Sequence, residues 1–382
     1  MSTAALTETT SAPAIGIDRL FLGLALGATA ILIALVVLDD QPRSALLLLG
    51  GFGLGAAFLK AAFSFTASWR HFLNRGEAGG MLGGLIVIAI CALAVVPVAA
   101  LSPGYGSAIA PLGPSLLIGA FTFGIGMQLA NGCGSGTLYT AGGGSGRMLV
   151  TLAMFMAGSV LGSLSLPPFL ALGGLDPVLA SDYLGPWGGL AATLASLALA
   201  AFIIVAIARR RGAGFVPSRN YVIGGLVIGL LCVGVFFAGG HPWSVTFGYT
   251  VWGAKIATAL GADLTQYEFW QWPGPKRALT ESVLSDTSSL TDFGMLFGAM
   301  AAAAAAHPFA RAAWPPLGSL LAAAAGGLLM GWGARLGFGC NIGAFVGGVA
   351  SGSLHGWIWF LAVLPGCMLG IRLRPLFGLS RD

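Results

Sequence analysis

The stretch ANGCGSGTLYTAGGGSGR, residues 130–147, interrupts a chain that consists mostly of long apolar runs. Seven of its eighteen residues are glycine, and it holds a single cysteine, Cys133. Non-helical backbone at membrane depth is tolerated only where it is buried in protein or lines a cavity. Glycine supplies the tight turns and the close helix contacts that such a break needs. The stretch therefore predicts a buried break in a membrane helix, and with it a candidate site.

The composition on either side of this break is that of an integral membrane protein. Of the 382 residues, 57% are hydrophobic and 8% are charged, whereas about a quarter of the residues of a soluble domain are charged. The polar segment 1–18 has no Lys or Arg, so it lacks the basic start of a secretory signal and is interpreted as a retained tail. The five cysteines form no CxxC pattern and the four histidines are scattered, so no metal site and no cofactor are predicted. The lipid bilayer is an expected partner, and nucleic acid is not expected as one.

Ten apolar segments approach the roughly 20 residues that a helix needs to cross a bilayer. The segments 64–75 and 243–260 are too short or too polar to span, and the Gly-rich segments 132–146 and 339–352 are not spans either. No carboxylate is expected inside a confident span. The predicted fold is an all-α integral membrane protein with about ten transmembrane helices, at 19–38, 45–63, 79–100, 114–131, 148–171, 188–208, 221–239, 291–306 (the weakest), 317–337 and 355–373.

The distribution of charge predicts the orientation of these spans. With ten spans both termini lie on one side, and most of the Arg and Lys residues fall on that side while most of the Asp and Glu residues fall on the other. Because basic loops stay in the cytoplasm, we predict a multi-pass protein of the cell inner (plasma) membrane with N-in and C-in termini. Lys255 and Arg335 break the bias on the outer side, and Arg70 lies next to a candidate pore segment.

An internal repeat relates the two halves of the chain. FGIGMQLANGCGSGTLY (123–139) aligns with MGWGARLGFGCNIGAFV (330–346), so that Cys133 matches Cys340 and several glycines match as well. Self-similarity of this kind is the signature of a repeated structural unit. Each Gly-Cys stretch is predicted to form a re-entrant or broken-helix loop.

A second pair of short motifs occurs earlier in each half, in the same order. FSFT (63–66) resembles WSVT (243–246), which matches Ser64 to Ser244. Five spans, an odd number, separate the starts of the two units, so the units face opposite ways across the membrane. Inverted-topology repeats are typical of transporters whose substrate site lies near the midplane, at the repeat interface. Aquaporin-like channels share the symmetry, so a carrier and a channel both stay open.

The repeat divides the chain into four predicted parts. They are a polar tail with an extra transmembrane helix (1–44), a first transmembrane repeat (45–172), a connecting transmembrane helix with a basic loop (173–220), and a second transmembrane repeat (221–382).

The two cysteines in the repeated break are the candidate functional thiols. Cys133 and Cys340 occupy the same place in two Gly-rich segments. A thiol is a weak hydrogen-bond donor with a soft sulfur, so it suits a sulfur-bearing ligand better than the oxygens of sulfate or nitrate. Consecutive glycines also free backbone N–H groups, which can face an anion where a short helix begins. The predicted substrate pathway comprises Cys133, Cys340, Ser64, Ser244, Gly132, Gly134, Gly339, Asn341, Ser135, Thr137, Arg335, Lys255 and Arg70.

The remaining cysteines lie mid-span and have no partner in the repeat. A lone cysteine in a membrane helix is usually a small packing residue. Packing is therefore the interpretation for Cys91, Cys232 and Cys367.

Three longer motifs carry a resemblance to a known family. NGCGSGTLYTAGGG (131–144), GFGCNIGAFVGGVASGSLHGW (337–357) and PWSVTFGYTVWGAK (242–255) resemble the YeeE/YedE family of membrane proteins, known for uptake of thiosulfate and related sulfur compounds. The similarity covers nearly all of the chain from about residue 45. The first span looks like an addition before the family's usual start.

The resemblance implies an hourglass-shaped helical core with cysteines along its axis. In the family, thiosulfate is thought to pass from one thiol to the next by S–H···S contacts, a role that carries over to Cys133 and Cys340. The family pattern also has an early cysteine, and the corresponding stretch here, AFSFTASWR (62–70), has Ser64 in its place. The resemblance therefore implies two thiols and a hydroxyl in this chain.

The leading hypothesis is a transporter, not an enzyme, that takes up thiosulfate or a similar sulfur-containing anion through a central pathway. A cytoplasmic sulfur-carrier or sulfurtransferase protein is a candidate partner. Two alternatives stay open. One is a membrane thiol protein that takes up sulfane sulfur as a persulfide, which needs a reactive thiolate. The other is a pore for a small neutral solute.

Overall fold

The computed structural model of the chain describes residues 16–39, 41–306 and 315–382. Within these ranges ten helical segments are long and apolar enough to cross a membrane. The predicted all-α membrane fold with about ten spans is thus confirmed. Most of the predicted N-terminal tail, residues 1–15, lies outside the described residues.

The helices are numbered in chain order. The helices of the ten spans are α1 (Arg19–Leu38), α2 (Pro42–Lys60), α4 (Gly79–Leu101), α5 (Pro114–Ala130), α7 (Gly146–Leu170), α8 (Ala180–Arg210), α9 (Arg219–Gly239), α12 (Thr287–Ala306), α13 (Leu317–Leu336) and α15 (Leu354–Leu373). The short helices are α3 (Phe65–Arg75), α6 (Gly134–Gly142), α10 (Thr246–Ala259), α11 (Pro273–Thr280) and α14 (Gly347–Ala350). Single 3₁₀ or π turns occupy Glu268–Gln271, Val283–Ser285, Asn341–Val346 and Arg374–Phe377.

Local sequence explains several of these helix ends. Pro42 and Pro114 stand in the first turn of α2 and α5, where the missing N–H of proline is not needed. Helix α8 begins at Ala180, earlier than the predicted residue 188, and bends at Gly185. The φ of Gly185 is 70°, a left-handed backbone that glycine adopts without the steric penalty of a side chain.

The start of α12 corrects one expectation. Asp286 accepts hydrogen bonds from the backbone N–H and the hydroxyl of Ser289, at 2.7 and 2.6 Å. This cap lets the helix begin at Thr287 instead of residue 291. Asp292 therefore lies in the second turn of a span, where it is fully buried. The expectation that no carboxylate lies inside a confident span is wrong at this residue, which already falls within the predicted segment 291–306. The cap adds one turn of helix before that segment, so Asp292 lies in the second turn of the span instead of the first.

Glycines let the helices approach closely. A β-carbon on Gly51 of α2 would overlap the carbonyl oxygen of Thr291 in α12. A β-carbon on Gly298 of α12 would in turn overlap the carbonyl oxygen of Phe52. The α7–α13 and α5–α15 pairs show the same reciprocal arrangement. Small residues of this kind support helix association in lipid, where van der Waals packing replaces the hydrophobic effect.

Candidate functional site

Two breaks in long helical segments form the centre of the candidate site. Helix α5 ends at Ala130, and Asn131 then turns the chain with a φ of 62° before α6 begins at Gly134. Helix α13 ends at Leu336. The first break is defined as residues 131–133 and the second as residues 337–340.

The second break depends on one glycine. Gly339 has a φ of 147°, a backbone conformation that side chains rarely adopt. A β-carbon there would also lie 2.6 Å from the backbone nitrogen of Ala344. Both the backbone conformation and the close contact therefore require glycine at this position.

Each break ends in a cysteine whose sulfur begins the helical turn that follows. The sulfur of Cys133 accepts from the backbone N–H of Gly136 at 3.3 Å, and that of Cys340 accepts from the N–H of Ile342 at 3.4 Å. Cys133 also lies 3.5 Å from the hydroxyl of Ser135. The two thiols are 2% and 0% exposed, so both belong to the interior of the molecule. Their matched positions agree with the aligned sequence motifs.

The two breaks meet at Gly134, the residue that follows the first break. A β-carbon placed on Gly134 would lie 2.9 Å from the sulfur of Cys340 and 3.3 Å from the methyl carbon of Thr246. A β-carbon on Gly343 would lie 3.1 Å from the hydroxyl oxygen of Ser244. The structure therefore brings the first break, the second break and the second Ser-x-Thr motif into one cluster.

Two tyrosines hold this cluster in place by hydrogen bonds. Neither is among the pathway residues predicted from the sequence. The hydroxyl of Tyr249, on α10, donates to the carbonyl of Gly134 at 2.9 Å. The hydroxyl of Tyr139, on α6, donates to the carbonyl of Phe63 at 3.2 Å, next to Ser64. Ser64 itself begins α3, where its hydroxyl accepts from the backbone N–H of an alanine three residues on. No pattern in the sequence pointed to the tyrosines, because their partners are distant along the chain.

Several buried polar atoms around the breaks have no hydrogen-bond partner in the described part of the chain. They include the hydroxyls of Thr66, Thr137 and Thr246 and both amide atoms of Asn341. Each of these side chains is at most 1% exposed. Buried polar atoms are normally paired, because an unpaired one costs free energy. Their gathering at the breaks makes this the place in the molecule best suited to a polar ligand.

Thr66 and Thr246 could have been recognised as candidate site residues from the sequence. They hold equivalent positions in the two Ser-x-Thr motifs, and the predicted pathway includes only the serines of these motifs. In the structure both threonine hydroxyls are buried and unpaired among the described residues.

Three arginines surround the end of α5, on one side of the breaks. Arg70 donates to the side-chain oxygens of Gln128 and Asn131, at 3.3 and 2.8 Å. Arg374 donates to the backbone carbonyl of Gln128 at 2.6 Å. Arg147 donates to a neighbouring carbonyl, that of residue 129, at 2.8 Å. None of the three forms an ion pair in the described ranges, so this arginine cluster keeps its positive charge.

Arg335 is the cation nearest the second break in sequence. Its guanidinium lies over the rings of Phe247 and Phe269, at 5.6 and 5.9 Å from their centres, in a cation–π arrangement. No ion pair of Arg335 occurs within the described residues. Lys255, by contrast, donates to the carbonyls of Leu279 and Glu281, at 3.0 and 2.6 Å. The structure thus ties Lys255 to the polar loop, the segment 260–286 between α10 and α12, and not to the cluster around the breaks.

A cavity of about 100 Å³ lies beside the second Ser-x-Thr motif. Ser244 lines it, which connects the cavity to the second break. Its other lining residues come from α2, α9, α12 and the turn before Ser244: Leu47, Val235, Gly239, His241, Pro242, Trp243, Thr287, Ser288 and Thr291.

Comparison with known proteins agrees with the motifs. A family model described as "Sulphur transport" matches residues 60–369. The chain is 32% identical over 154 residues to the "Probable transporter YedE" of Salmonella typhimurium (strain LT2). It is 30% identical over 154 residues to the "Probable transporter YedE" of Escherichia coli (strain K12).

The two kinds of match differ in extent. Each match to a relative takes in 40% of this chain and 37% of the relative, so the chain spans well under half the length of the relatives it matches. The family match covers most of the chain and includes both Gly-Cys breaks. A transport family agrees with the prediction that the chain is not an enzyme, and the resemblance to the YeeE/YedE family is confirmed. The chain belongs to the sulphur transport family.

Proposed function

We propose that this chain transports thiosulfate or a similar sulfur-containing anion inwards across the cell inner membrane. The observation that carries the proposal is the meeting of the two breaks, where two buried thiols lie among unpaired buried hydroxyl and amide groups. Hydroxyl and amide donors suit the oxygens of such an anion, and the soft thiol sulfurs suit its terminal sulfur. The family match and the transporter names of the relatives support the same class of activity.

The charged groups suggest the route of the anion. On the outer side, Arg335 offers an unpaired positive charge at the end of α13, and the cavity beside Ser244 leads towards the second break. The anion then passes from Cys340 to Cys133, and the arginine cluster draws it out on the cytoplasmic side. A pathway of this kind must bind weakly enough to release its substrate, which single hydrogen bonds to thiols allow. A cytoplasmic sulfur-carrier or sulfurtransferase protein is the proposed recipient.

The inverted repeat is part of this proposal. Two breaks that enter from opposite faces would give the hourglass its narrow waist and place one thiol on each side of it. Ser64 would contribute a hydroxyl on the cytoplasmic side in place of a third thiol. It follows Phe63, the residue whose carbonyl binds Tyr139 of α6.

Uptake of radiolabelled thiosulfate into proteoliposomes tests the proposal. We expect the double variant Cys133→Ala/Cys340→Ala to lose at least tenfold in uptake rate, because the remaining donors cannot contact the terminal sulfur. Cys367→Ala is the matched control, since it removes an equally buried thiol from α15. Equal uptake by the double variant and the wild type would rule out the thiol pathway.

A persulfide mechanism is a second candidate, favoured by one observation. In it a cysteine thiolate bonds to the outer sulfur of thiosulfate, and the S–S bond of the anion breaks to release sulfite. Each thiol accepts a hydrogen bond from a backbone N–H in the first turn of the helical segment that follows it. This contact favours a thiolate, and the burial of both thiols opposes it. Mass spectrometry after thiosulfate exposure separates the two candidates. A gain of about 32 Da on Cys133 or Cys340, one sulfur atom on a reactive thiol, would favour the covalent mechanism.

A further inference from the structure

The pathway described so far leaves one buried carboxylate without a role. Asp292, in α12, is 0% exposed, and neither carboxylate oxygen has a hydrogen-bond partner among the described residues. Ionisable side chains inside membrane helices are costly and mark ion pathways or proton relays. A buried carboxyl group without a partner avoids the large cost of an isolated charge by taking up a proton.

The position of Asp292 connects it to the outer cavity. Ser288 and Thr291, on the same helix, line the cavity beside Ser244. Ser288 precedes Asp292 by one helical turn, so the two residues are neighbours on the helix surface. On the other side, a β-carbon on Gly248 of α10 would lie 2.5 Å from a carboxylate oxygen of Asp292. The carboxyl group therefore lies between the cavity and α10, the helix whose Tyr249 binds the carbonyl of Gly134.

The groups that interact with Asp292 most closely include no cation. Asp286 is the charged residue that acts on it electrostatically. Tyr249 and Cys340 are the other titratable groups that act on Asp292. Lys255, on α10, is bound to carbonyls of the polar loop.

The other helices packed on α12 also keep their cations away. Gly51 of α2 contacts the residue before Asp292. Arg43 and Lys60 lie near the two ends of α2, each about 12 Å or more along the helix from Gly51. Helix α1 carries its charge at Arg19, in its first turn, and the titratable residue of α6 is Tyr139, which is already hydrogen-bonded. Nothing in these elements offers a fixed positive charge to Asp292.

We propose that Asp292 carries a proton together with the sulfur anion, so that a proton gradient drives uptake. This inference rests on the proposed function. On the outer side, one carboxylate oxygen binds a proton from the cavity and the group becomes neutral; towards the cytoplasm it releases that proton and regains its charge. One carboxyl group moves one proton per cycle, which halves the negative charge that a thiosulfate dianion carries inwards. The electrical work against a membrane potential falls accordingly.

Two measurements on purified protein in proteoliposomes test the coupling. The first is exchange of radiolabelled for unlabelled thiosulfate without any gradient, which reports the transport function alone. The second is accumulation of thiosulfate driven by an imposed pH gradient, acidic outside. We expect the wild type to accumulate label several-fold above the exchange level. We expect Asp292→Asn, which keeps the shape of the side chain, to exchange normally and to lose the gradient-driven accumulation.

Asp286→Asn is the matched control, because its amide oxygen still caps α12 while the charge is removed. It should keep the gradient-driven accumulation. Full accumulation by Asp292→Asn, or an equal loss in Asp286→Asn, would overturn the assignment to Asp292. A wild type that responds to a sodium gradient and not to a pH gradient would overturn the proton as the coupled ion. Absence of exchange in the wild type would instead contradict the proposed function itself.

Discussion

Gly134 follows Cys133 in the chain and lies against the sulfur of Cys340. Its neighbours on three sides are Cys133 in the chain, the sulfur of Cys340, and Thr246 of the second Ser-x-Thr motif. Its carbonyl accepts the hydroxyl of Tyr249. A residue that contacts four functional candidates at once controls their spacing, although it contributes no side chain.

Replacing Gly134 tests this role at the scale of one methyl group. In Gly134→Ala the new carbon would lie 2.9 Å from the Cys340 sulfur, too close for an undisturbed contact. We expect the thiol to be displaced, the uptake rate to fall by about tenfold, and the free energy of unfolding to fall by about 1–3 kcal/mol, as in other overpacked cores. Radiolabelled uptake and a thermal unfolding curve measure the two effects.

Gly234→Ala is the control for Gly134→Ala. It lies in α9, and a β-carbon there meets nothing within 4 Å. Alanine favours the helix more than glycine does, so this variant should keep its uptake and its stability. Normal uptake by Gly134→Ala would show that the spacing of the thiols does not control transport.

At the scale of elements, the sequence was sufficient for the spans and insufficient for their contacts. A run of about 20 apolar residues has few alternatives to a membrane helix, and for this reason all ten spans could be predicted. The start of α12 could not, because it depends on the hydrogen bonds of Asp286 to Ser289. That single cap places Asp292 in the second turn of the helix instead of the first.

For the breaks, too, the sequence predicts the position and not the contacts. Glycine content marked both of them, and the repeat matched their cysteines. That the breaks touch, with Cys340 against Gly134, depends on the packing of helices far apart in the chain, which periodicity does not encode. Of the arginine cluster, the predicted pathway includes Arg70 alone, and Arg374 could not be joined to it because it comes long after Arg70 in the sequence.

The glycine contacts between α2 and α12 make a prediction about stability. In Gly298→Ala the added carbon would overlap the carbonyl oxygen of Phe52, so the two helices must separate. We expect a loss of about 1–3 kcal/mol in the free energy of unfolding. Thermal unfolding of the detergent-purified protein measures it. Gly27→Ala on α1, where a β-carbon meets nothing within 4 Å, should be unaffected, and an equal effect of both substitutions would contradict the contact.

At the scale of the whole molecule, the charge bias and the repeat lead to the same expectation. Ten membrane crossings would return the chain to the side on which it began, and an odd number of crossings between the repeat units would invert one unit relative to the other. An anion would then meet Arg335 first on the outer side and the arginine cluster last. The direction of the pathway thus depends on the N-in and C-in orientation.

Labelling with a membrane-impermeant maleimide measures that orientation. All five native cysteines are buried, so they should react slowly and leave a low background. We expect Gln266→Cys, at an exposed position of the polar loop, to be labelled in spheroplasts whose cytoplasmic membrane is intact. Arg210→Cys, exposed at the end of α8, should be labelled only after the membrane is permeabilised. The reverse pattern would invert the predicted topology, and with it the order in which the anion meets Arg335, the two thiols and the arginine cluster.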